Sequence, residues 1–530
     1  MDKIIGKEIG IDFGTTTTIV SYTGKKLGKL KQLKYDGEKL IPSVLYFKSK
    51  DEWDIGGTAV TEAEIHPLAG VANFKSHLSD PEYVYEVTAE NGDQFKLKSR
   101  EAAKKFLQKI IKGMENTLLK EFGSLGGTIE RAVITVPAKF SLVAKGSIKR
   151  AARDFGMDVK LTKEPTAAAT DYLHNYAEFD KPGTTILVYD FGGGTFDVSV
   201  VQRQQDSLKE IATGGDNKLG GNLLTKRVMR YLIERIEDYY AISFPESDED
   251  AEDLEGEERL EYKQNIAEIR RKANQMKEAL SDETETENEL YLIFGGEKKI
   301  FEAYLSRDDF EDMIRPDIER TVDIVQKTLA KAVEKGIEKI DTVVMAGGSS
   351  NVPLARTALK EKLPHLEIDP ATNATFLISR GAAIIAERVE KLNKIALITN
   401  TQIGTKAKEG TVFNKFQMII EENTPLPASG SRTFFLDHDG QEEYKIPYYE
   451  YDVDNYPGMT RTDQDGMEQV DILTVKLPHG LKKNDTEIEV RFDVKTDGNI
   501  EINATAKDKS GNVIKDGSGN LSIKHEQDWE

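Results

Sequence analysis

The feature that most constrains the fold of this chain is a short pattern that occurs twice, near the start and near the middle. In each copy an apolar, strand-like run ends in Asp-Phe-Gly, a turn rich in glycine or threonine follows, and a second strand-like run begins. The copies are Asp12–Thr18 before Ile19–Tyr22, and Asp190–Thr195 before Val198–Val201. Such a turn presents backbone N–H groups and hydroxyls in one small concavity, which suits a phosphate. Two copies predict two related halves that clamp one nucleotide.

A third glycine turn, Ala346–Ser350, follows the strand-like run Val343–Met345. Glycines there would let the backbone lie close against a base or a sugar. A lone glycine turn is more often only a tight turn, but three turns, each after a strand and two with Asp and Thr, favour a nucleotide site. Asp12, beside the first turn, is suited to hold a hydrated Mg²⁺, which takes oxygen ligands.

The first 390 residues alternate strand-like and helical patterns. Four short β-branched runs are predicted as strands buried in a sheet: Ile9–Phe13, Val133–Val136, Ile186–Tyr189 and Val343–Ala346. Between Ile266 and Leu280 the apolar residues step by three and four, which predicts one face of a helix. This alternation predicts an α/β fold.

After Glu390 the pattern becomes all-β. Glu487–Val494 and Asn499–Ala504 alternate polar and apolar residues, and Lys495–Gly498 between them is typical of a hairpin turn. We therefore predict an α/β domain over residues 1–390, a linker over 391–402 and an all-β sandwich over 403–530.

Composition excludes several classes of protein. There is no cysteine, which excludes a disulfide framework and cysteine-bound zinc and fits the cytoplasm. The net charge of −20 argues against nucleic acid as a partner. No stretch approaches the ~20 apolar residues that cross a bilayer, so no membrane partner is expected. Much of the negative charge lies in Glu246–Glu258, which we predict to be a solvated insertion or loop.

The motifs, taken together, resemble the DnaK family of seventy-kilodalton heat-shock chaperones, within the wider actin and sugar-kinase superfamily. The matching segments, in chain order, are Ile11–Thr16, Val133–Ala138, Lys163–Ala169, Val188–Ser199, Gly214–Gly221, Ala346–Pro353, Arg380–Ala383 and Glu487–Lys507. The segments VITVPA and EPTAAA separate this family from actins and sugar kinases. The resemblance implies an actin-like ATPase domain of two related lobes, followed by a β-sandwich that binds peptides.

The resemblance also implies roles for individual residues. Thr15 and Thr16 would contact the phosphates, Lys75 would reach the γ-phosphate, and Asp12, Asp190 and Asp197 would hold the Mg²⁺ shell and orient water. Without the resemblance, Lys75 would be read as a surface lysine. The implied catalytic residues are Lys75, Glu164, Asp190, Thr195 and Asp197. The implied ATP- or ADP-binding residues are Asp12, Gly14, Thr15, Thr16, Gly192, Gly193, Gly194, Thr195, Gly220, Gly221, Asn274, Lys277, Ser281, Gly347, Gly348 and Ser349. Asp12 and Asp190 would bind Mg²⁺ through water.

The chain departs from the family pattern at the nucleoside end of the site. Asn274, Lys277 and Ser281 share one helical face, but the family typically has Glu where Asn274 stands. Glu278 lies where many relatives carry an arginine that stacks on adenine. The other departures are Thr17, Lys139, Asn351 and Thr375. These changes predict weaker or altered nucleotide binding with the phosphate chemistry intact.

The second half departs as well. The apolar linker run Lys394–Asn400 lacks the family's final Asp, which puts ordinary interdomain coupling in question. Phe434, Tyr444 and Ile446 align with residues that line the family's peptide cleft. The alternative interpretation is that these three side chains fill the sandwich core. Tyr448–Gln469 has no clear family equivalent, and no helical lid is predicted in the tail.

The predicted function is an ATP-dependent chaperone that binds unfolded or extended peptides, with hydrolysis gating peptide exchange. A J-domain co-chaperone and a nucleotide-exchange factor are implied partners, and the cytoplasm is the expected location. Three alternatives remain open at this stage: a single-client assembly or regulatory protein, a nucleotide-exchange cofactor that does not hydrolyse ATP, and a sugar kinase.

Overall fold

The computed structural model describes most of the chain. The described residues are 7–24, 30–80, 82–123, 128–138, 140, 142–152, 155–176, 181–205, 208–245, 254, 256–369, 374–392, 399, 401–409, 412–421, 424, 427–451, 458–464, 467–495 and 500–523. Within them no helix is long and apolar enough to cross a bilayer.

Strands and helices alternate through the first part of the chain. Its strands are β1 Glu8–Phe13, β2 Thr17–Thr23, β3 Leu30–Gln32, β4 Ile41–Pro42, β5 Val44–Phe47, β6 Trp53–Ile55, β7 Gly70–Ala72, β8 Val84–Thr88, β9 Gln94–Lys98, β10 Arg131–Val136, β11 Asp158–Lys163, β12 Thr185–Phe191, β13 Phe196–Arg203, β14 Leu208–Asp216, β15 Glu285–Phe294, β16 Glu297–Ser306 and β17 Thr342–Ala346. Its α-helices are α1 Gly56–Ile65, α2 Ser99–Phe122, α3 Leu142–Ala152, α4 Glu164–Asn175, α5 Gly221–Tyr240, α6 Gly256–Ala279, α7 Arg307–Glu334, α8 Pro353–Lys362 and α9 Leu377–Leu392.

The two largest sheets of this part are built in the same way. In the first, β1 and β2 form an antiparallel hairpin, and β1 also pairs in parallel with β10. In the second, β12 and β13 form the hairpin, and β12 pairs in parallel with β17. The sheet orders are β11-β10-β1-β2-β3 and β14-β13-β12-β17. Each hairpin turn therefore follows a buried strand at the centre of its sheet.

The four predicted strands are confirmed, each within one or two residues, as β1, β10, β12 and β17. The predicted helix over 266–280 is confirmed within α6. The prediction of a loop for the acidic run is wrong at its end, because Glu257 and Glu258 lie in the first turn of α6. Acidic side chains stabilise this position because the helix N-terminus carries partial positive charge. Residues 246–253 and 255 of the run lie outside the described residues.

The last part of the chain is all-β. Its strands are β18 Gln402–Glu409, β19 Val412–Ile420, β20 Ala428–Phe435, β21 Glu443–Tyr451, β22 Met467–Lys476, β23 Thr486–Val494, β24 Ile500–Asp508 and β25 Val513–Ile523. They form two four-stranded sheets, β19-β18-β21-β22 and β20-β23-β24-β25. The sheets share one apolar core, in which the rings of Tyr448 and Phe492 lie 5.6 Å apart.

The predicted hairpin near residue 497 is confirmed, because Val494 pairs with Ile500 in the antiparallel β23–β24 ladder. The sequence did not predict a second backbone pairing, which joins β19 to residues 460–462. The N–H of Phe416 donates to the carbonyl of Thr460 at 2.9 Å, and the N–H of Thr462 donates to the carbonyl of Asn414 at 2.8 Å. Residues 460–462, within the stretch Tyr448–Gln469, thus lie along the outer edge of β19.

The predicted linker falls largely outside the described residues, at 393–398 and 400. Its first residues are helical, since α9 continues to Leu392, and its last residue begins β18. The three domain ranges stay a prediction.

Helix α9 packs against both α4 and strand β1, and at each contact a glycine lets the two backbones approach closely. A Cβ placed on Gly381 would lie 1.8 Å from the carbonyl oxygen of Ala167 in α4. A Cβ on Gly10 in β1 would lie 2.1 Å from the backbone nitrogen of Ala383. Backbone meets backbone at both positions, so a side chain there forces the elements apart.

We predict that Gly381→Ala lowers the free energy of unfolding by about 1–3 kcal/mol or more, the usual range for overpacking. The midpoint of urea unfolding, followed by circular dichroism, measures this change. Gly57→Ala is the control, because a Cβ on that helical glycine meets nothing within 4 Å. An unchanged midpoint for Gly381→Ala would contradict the close approach of α9 and α4.

Candidate nucleotide site

A cleft of about 550 Å³ lies between the two central hairpins. Its walls come from the β1–β2 turn, the β12–β13 turn, the C-terminal end of α6 and the turn after β17. The sequence-predicted residues in its lining are Asp12, Gly14, Thr15, Thr16, Glu164, Asp190, Gly192, Gly193, Gly194, Thr195, Asn274, Lys277, Ser281, Gly347, Gly348 and Ser349. Four further predicted residues lie outside the lining: Lys75, Asp197, Gly220 and Gly221.

The two hairpin turns face each other at contact distance. A Cβ on Gly193 would lie 2.4 Å from the hydroxyl oxygen of Thr16, and a Cβ on Gly194 would lie 2.7 Å from that of Thr15. Glycine is therefore required for the approach. The result is a narrow concavity with threonine hydroxyls on one side and bare backbone on the other.

Gly220 and Gly221 support the second turn from behind. The N–H of Gly221 donates to the carbonyl of Gly192 at 3.0 Å, and a Cβ on Gly220 would lie 2.4 Å from the carbonyl carbon of Gly194. Ser349, from the turn after β17, donates its hydroxyl to the same Gly192 carbonyl at 2.9 Å. These contacts join the second turn to α5 and to the third turn.

Buried carboxylates form the floor of the cleft. Burial and the neighbouring Glu164 raise the pKa of Asp12 to about 7, while Lys75 and a hydrogen bond from Thr135 act in the opposite direction. Burial and the charges of Glu164 and Asp197 hold the pKa of Asp190 well above its usual range. Asp197 is the cross-strand partner of Asp190 and is also buried. Negative charge is thus crowded where a cation would relieve it.

These residues fit a hydrated Mg²⁺. The Oδ2 atom of Asp190 is buried and makes no hydrogen bond within the described part of the protein. The described residues contain no group of three or more side chains that would enclose a metal by themselves. Mg²⁺ usually keeps several waters and takes only one or two carboxylates together with phosphate oxygens, so this sparse donor set is suitable.

Lys75 is buried, which its residue type alone would not indicate. Its Nζ lies 2.8 Å from Oε1 of Glu164, and the side chains are only 4% and 8% exposed. Glu164 begins α4 and reaches the cleft, while Lys75 lies behind it. The ammonium also lies over the rings of Phe13 and Phe140, at 5.9 and 5.7 Å. The pair therefore places a fixed positive charge next to the carboxylate floor.

The wall formed by α6 carries the predicted nucleoside contacts. Lys277 donates to Asn274 Oδ1 at 2.8 Å and to Thr225 Oγ1 at 3.0 Å. Burial lowers the pKa of this lysine to about 8. Asn274 in turn donates to Glu278 Oε1 at 2.8 Å. Glu278, Asn351 and Thr375, where the chain departs from the family pattern, all line the cleft, and so does Thr17. Lys139 lies outside the described residues.

The sequence did not identify two supporting residues. Thr135 donates to Asp12 Oδ1 at 3.1 Å, and Ser43 donates to the carbonyl of Gly14 at 2.8 Å. Thr135 lies within the VITVPA segment, which was a usable signal. No sequence motif pointed to Ser43, because folding of the sheet alone brings it next to the Gly14 turn.

The residues predicted to contact peptide lie in the β-rich part. Phe434 and Ile446 are buried in its shared core, and Tyr444 packs against that core. This packing agrees with the alternative that these side chains fill the sandwich core. A role of these three residues in peptide binding stays a prediction.

We predict that Lys75→Met lowers the free energy of unfolding by about 3–5 kcal/mol, because Glu164 is left buried without its partner. The double variant Lys75→Met with Glu164→Gln should recover most of this loss, since no buried charge remains. Urea unfolding of the four proteins in the cycle gives the coupling energy. The exposed pair Lys299–Glu297 supplies the control, Lys299→Met, which should be near neutral. A full loss in the double variant would contradict the pairing.

Comparison with known proteins identifies the family to which this chain belongs. A sequence model of the Hsp70 protein family matches residues 8–527. The chaperone protein DnaK of Thermosipho melanesiensis is 28% identical over 506 residues, which cover 94% of this chain and 77% of that relative. DnaK of Thermotoga neapolitana is 28% identical over 509 residues, covering 94% and 78%. The chain belongs to the Hsp70 family.

Proposed function

We propose that this protein is an ATP-dependent molecular chaperone with an actin-like ATPase domain and a β-sandwich that binds extended peptides. The observation that carries the proposal is the approach of the Thr15–Thr16 turn to the Gly193–Gly194 turn above buried carboxylates. Membership of the Hsp70 family supports the same activity. The sugar-kinase alternative has no support from the family match.

In this proposal the two turns bind the phosphates of ATP. Their backbone N–H groups and the hydroxyls of Thr15, Thr16 and Thr195 would donate to phosphate oxygens. Mg²⁺, when bound, supplies positive charge next to the β- and γ-phosphates. Asp12 and Asp190 would hold its water shell. The remaining chemistry is positioning and electrostatics, because phosphoryl transfer to water requires no covalent intermediate with the protein.

Lys75 would stabilise charge that develops on the transferred phosphoryl group. Glu164 orients it, since the 2.8 Å ion pair fixes the ammonium. Asp197, beside Asp190 on the hairpin, would orient the attacking water. Lys75 opposes the rise in the pKa of Asp12 and Asp190 without cancelling it, which supports a requirement for a further cation such as Mg²⁺.

A chain of buried charges supports coupling between the two parts of the protein. Lys163, next to Glu164, lies 2.6 Å from Glu210, and both side chains are buried. Burial and Lys163 lower the pKa of Lys145 to about 8, while Glu450 of the β-rich part opposes that change. Charges from both parts therefore act on Lys145. We therefore expect a change of charge at Glu164 to be felt electrostatically at Lys145, on which Glu450 of β21 also acts.

The partners follow from the same proposal. Unfolded or extended polypeptides would be the clients, a J-domain protein and a nucleotide-exchange factor would regulate the cycle, and the cytoplasm is the proposed location. A single-client assembly protein is not favoured, because the match to the Hsp70 family supports the general chaperone. A cofactor that binds ATP without hydrolysis is not favoured, because Lys75 and the carboxylates are retained and placed together.

We predict that the protein hydrolyses Mg-ATP in a single-turnover assay, and that Lys75→Ala slows the reaction by about 10²–10³-fold, as expected for loss of one preorganised charge. An apolar extended peptide should change the wild-type rate. Lys299→Ala, at an exposed ion pair outside the cleft lining, is the control and should keep the wild-type rate. Circular dichroism checks that each variant is folded.

The possible failures are distinct. If folded wild-type protein does not hydrolyse ATP, the enzymatic claim is wrong. If it does and peptide has no effect, the two parts are uncoupled.

We further predict that unrelated apolar peptides compete for one site on the protein. Fluorescence anisotropy of a labelled extended peptide, titrated with unlabelled peptides of unrelated apolar sequence, measures this competition. Displacement by most of them supports a general chaperone, while a charged peptide of equal length is the control. Selective displacement by one sequence alone would favour the single-client alternative.

A further inference from the structure

A buried ion pair outside the cleft lining joins the two large sheets. The Nζ atom of Lys163 lies 2.6 Å from Oε2 of Glu210, and the side chains are only 6% and 1% exposed. Lys163 ends β11 and Glu210 lies in β14, which are edge strands of the first and the second sheet. Ser199 in β13 donates to the other oxygen of the Glu210 carboxylate at 3.2 Å. Both oxygens of this carboxylate are therefore held.

A β-bulge turns Glu210 toward α4. The register of β13 against β14 shifts after Val200, which pairs with Ala212. Its neighbour Val201 pairs with Glu210, so Ile211 is the extra residue. Val201 belongs to the core that contains α4, whereas Val200 and Ala212 belong to the core that contains α5 and α7. Because side chains alternate along a strand, Glu210 would face the same core as Ala212 without the extra residue. The bulge re-aims its carboxylate to the face that carries α4.

Lys163 immediately precedes Glu164, the first residue of α4. Glu164 lines the cleft and forms the 2.8 Å ion pair with Lys75. Burial and then the charge of Glu164 raise the pKa of Asp12 in β1, and the same two causes hold the pKa of Asp190 in β12 well above its usual range. The Glu164 carboxylate therefore lies close to one aspartate from each sheet.

The position of Glu164 relative to the second sheet depends on what joins α4 to that sheet. Apolar residues of α4 pack in a core that contains strand residues of both sheets, but apolar contact has no preferred direction. The Lys163–Glu210 pair is directional, and breaking a buried pair is strongly unfavourable. The junction of β11 and α4 therefore cannot shift against β14 without losing this contact.

We propose that Lys163 and Glu210 are positioning residues for ATP hydrolysis. Their ion pair fixes the β11–α4 junction against the second sheet and so holds the Lys75–Glu164 pair in place between the aspartates of the two sheets. The inference rests on the proposed function, since it concerns the same hydrolytic site. Both residues lie outside the cleft lining, so they act on the chemical step through Glu164 and not by touching the nucleotide.

The test compares the full-length wild type with Lys163→Met and with the double variant Lys163→Met, Glu210→Gln. Lys163→Met should lower the midpoint of urea unfolding, because Glu210 is left buried without its partner, and the double variant should regain most of the loss. Lys145 is affected by the charges of both residues, so the double variant, which removes both, is the cleaner test.

The rate of hydrolysis should not recover with the stability. Single-turnover hydrolysis of Mg-ATP should be slower by about 10–10²-fold in both variants, the effect of displacing a catalytic group by roughly 1 Å. The Kd for Mg-ADP, measured by calorimetry, should stay within about threefold, because an interaction needed only for the chemical step leaves ground-state binding unchanged. Recovered stability with a slow rate distinguishes positioning from a structural role.

The ion pair between Arg227 in α5 and Asp317 in α7 supplies the matched control. It is partly buried, and both helices pack in the core of the second sheet, so it does not join the two sheets. The double variant Arg227→Met, Asp317→Asn should keep the wild-type rate of hydrolysis.

The outcomes separate the two claims. If the wild type does not hydrolyse ATP, the proposed function itself fails. If the wild type hydrolyses ATP and the Lys163–Glu210 double variant keeps its rate, this inference is overturned and the proposed function stands. A rise in the Kd for Mg-ADP as large as the loss of rate, or an equal loss of rate in the control, also overturns it. If Lys163→Met does not fold, the double variant decides, because it leaves no buried charge of this pair.

Discussion

The structure of the site depends on how closely two turns can approach. Gly193 and Gly194 lie against Thr16 and Thr15 at distances that no Cβ would permit. Since each turn ends the central strand of its own sheet, this contact sets the position of the two sheets relative to one cleft. The N–H of Asn222 donates to the carbonyl of Gly193, so the start of α5 depends on the same contact.

Burial of charge is the second constraint. Asp190, Glu164 and Lys75 are buried, and the half-buried Asp12 lies beside them at the cleft. Such an arrangement costs free energy in the free protein, because desolvated carboxylates repel one another. Proteins commonly accept that cost at functional sites, where a ligand or a cation restores the balance. The raised pKa values of Asp12 and Asp190 are the result of burial and of this repulsion, which a bound cation would reduce.

A second buried ion pair, Lys163–Glu210, lies outside the cleft lining. It is next to the Lys75–Glu164 pair, because Lys163 immediately precedes Glu164 at the junction of β11 and α4. Buried pairs of this kind contribute little net stability, but breaking one partner is expensive. Buried ion pairs therefore suit places where the movement of one structural element must shift another.

Sequence pattern predicted the strands well, because β-branched runs bounded by glycine or proline have few other ways to be buried. It predicted the alternation of strands and helices and the β23–β24 hairpin for the same reason. It did not predict the helical start of α6 at Glu257 and Glu258, where a run of like charge concealed a favourable helix N-terminus. It also gave no sign that residues 460–462 pair with β19, since edge pairing depends on where the chain returns in space.

The sequence by itself determined the chemical types at the site, because Asp-Phe-Gly and Thr repeat after strands and the family motifs occur in order. Only the tertiary structure decided which of those groups share one volume. Lys75 and Glu164 are 89 positions apart, and Ser43 meets Gly14 across 29, so no local pattern relates them. Lys277 and Glu278, adjacent on α6, both line the cleft, and only the folded structure shows that Lys277 donates to Thr225 of α5. The physical reason is that side-chain direction follows from packing between elements, whereas residue type and spacing fix only the faces that are available for packing.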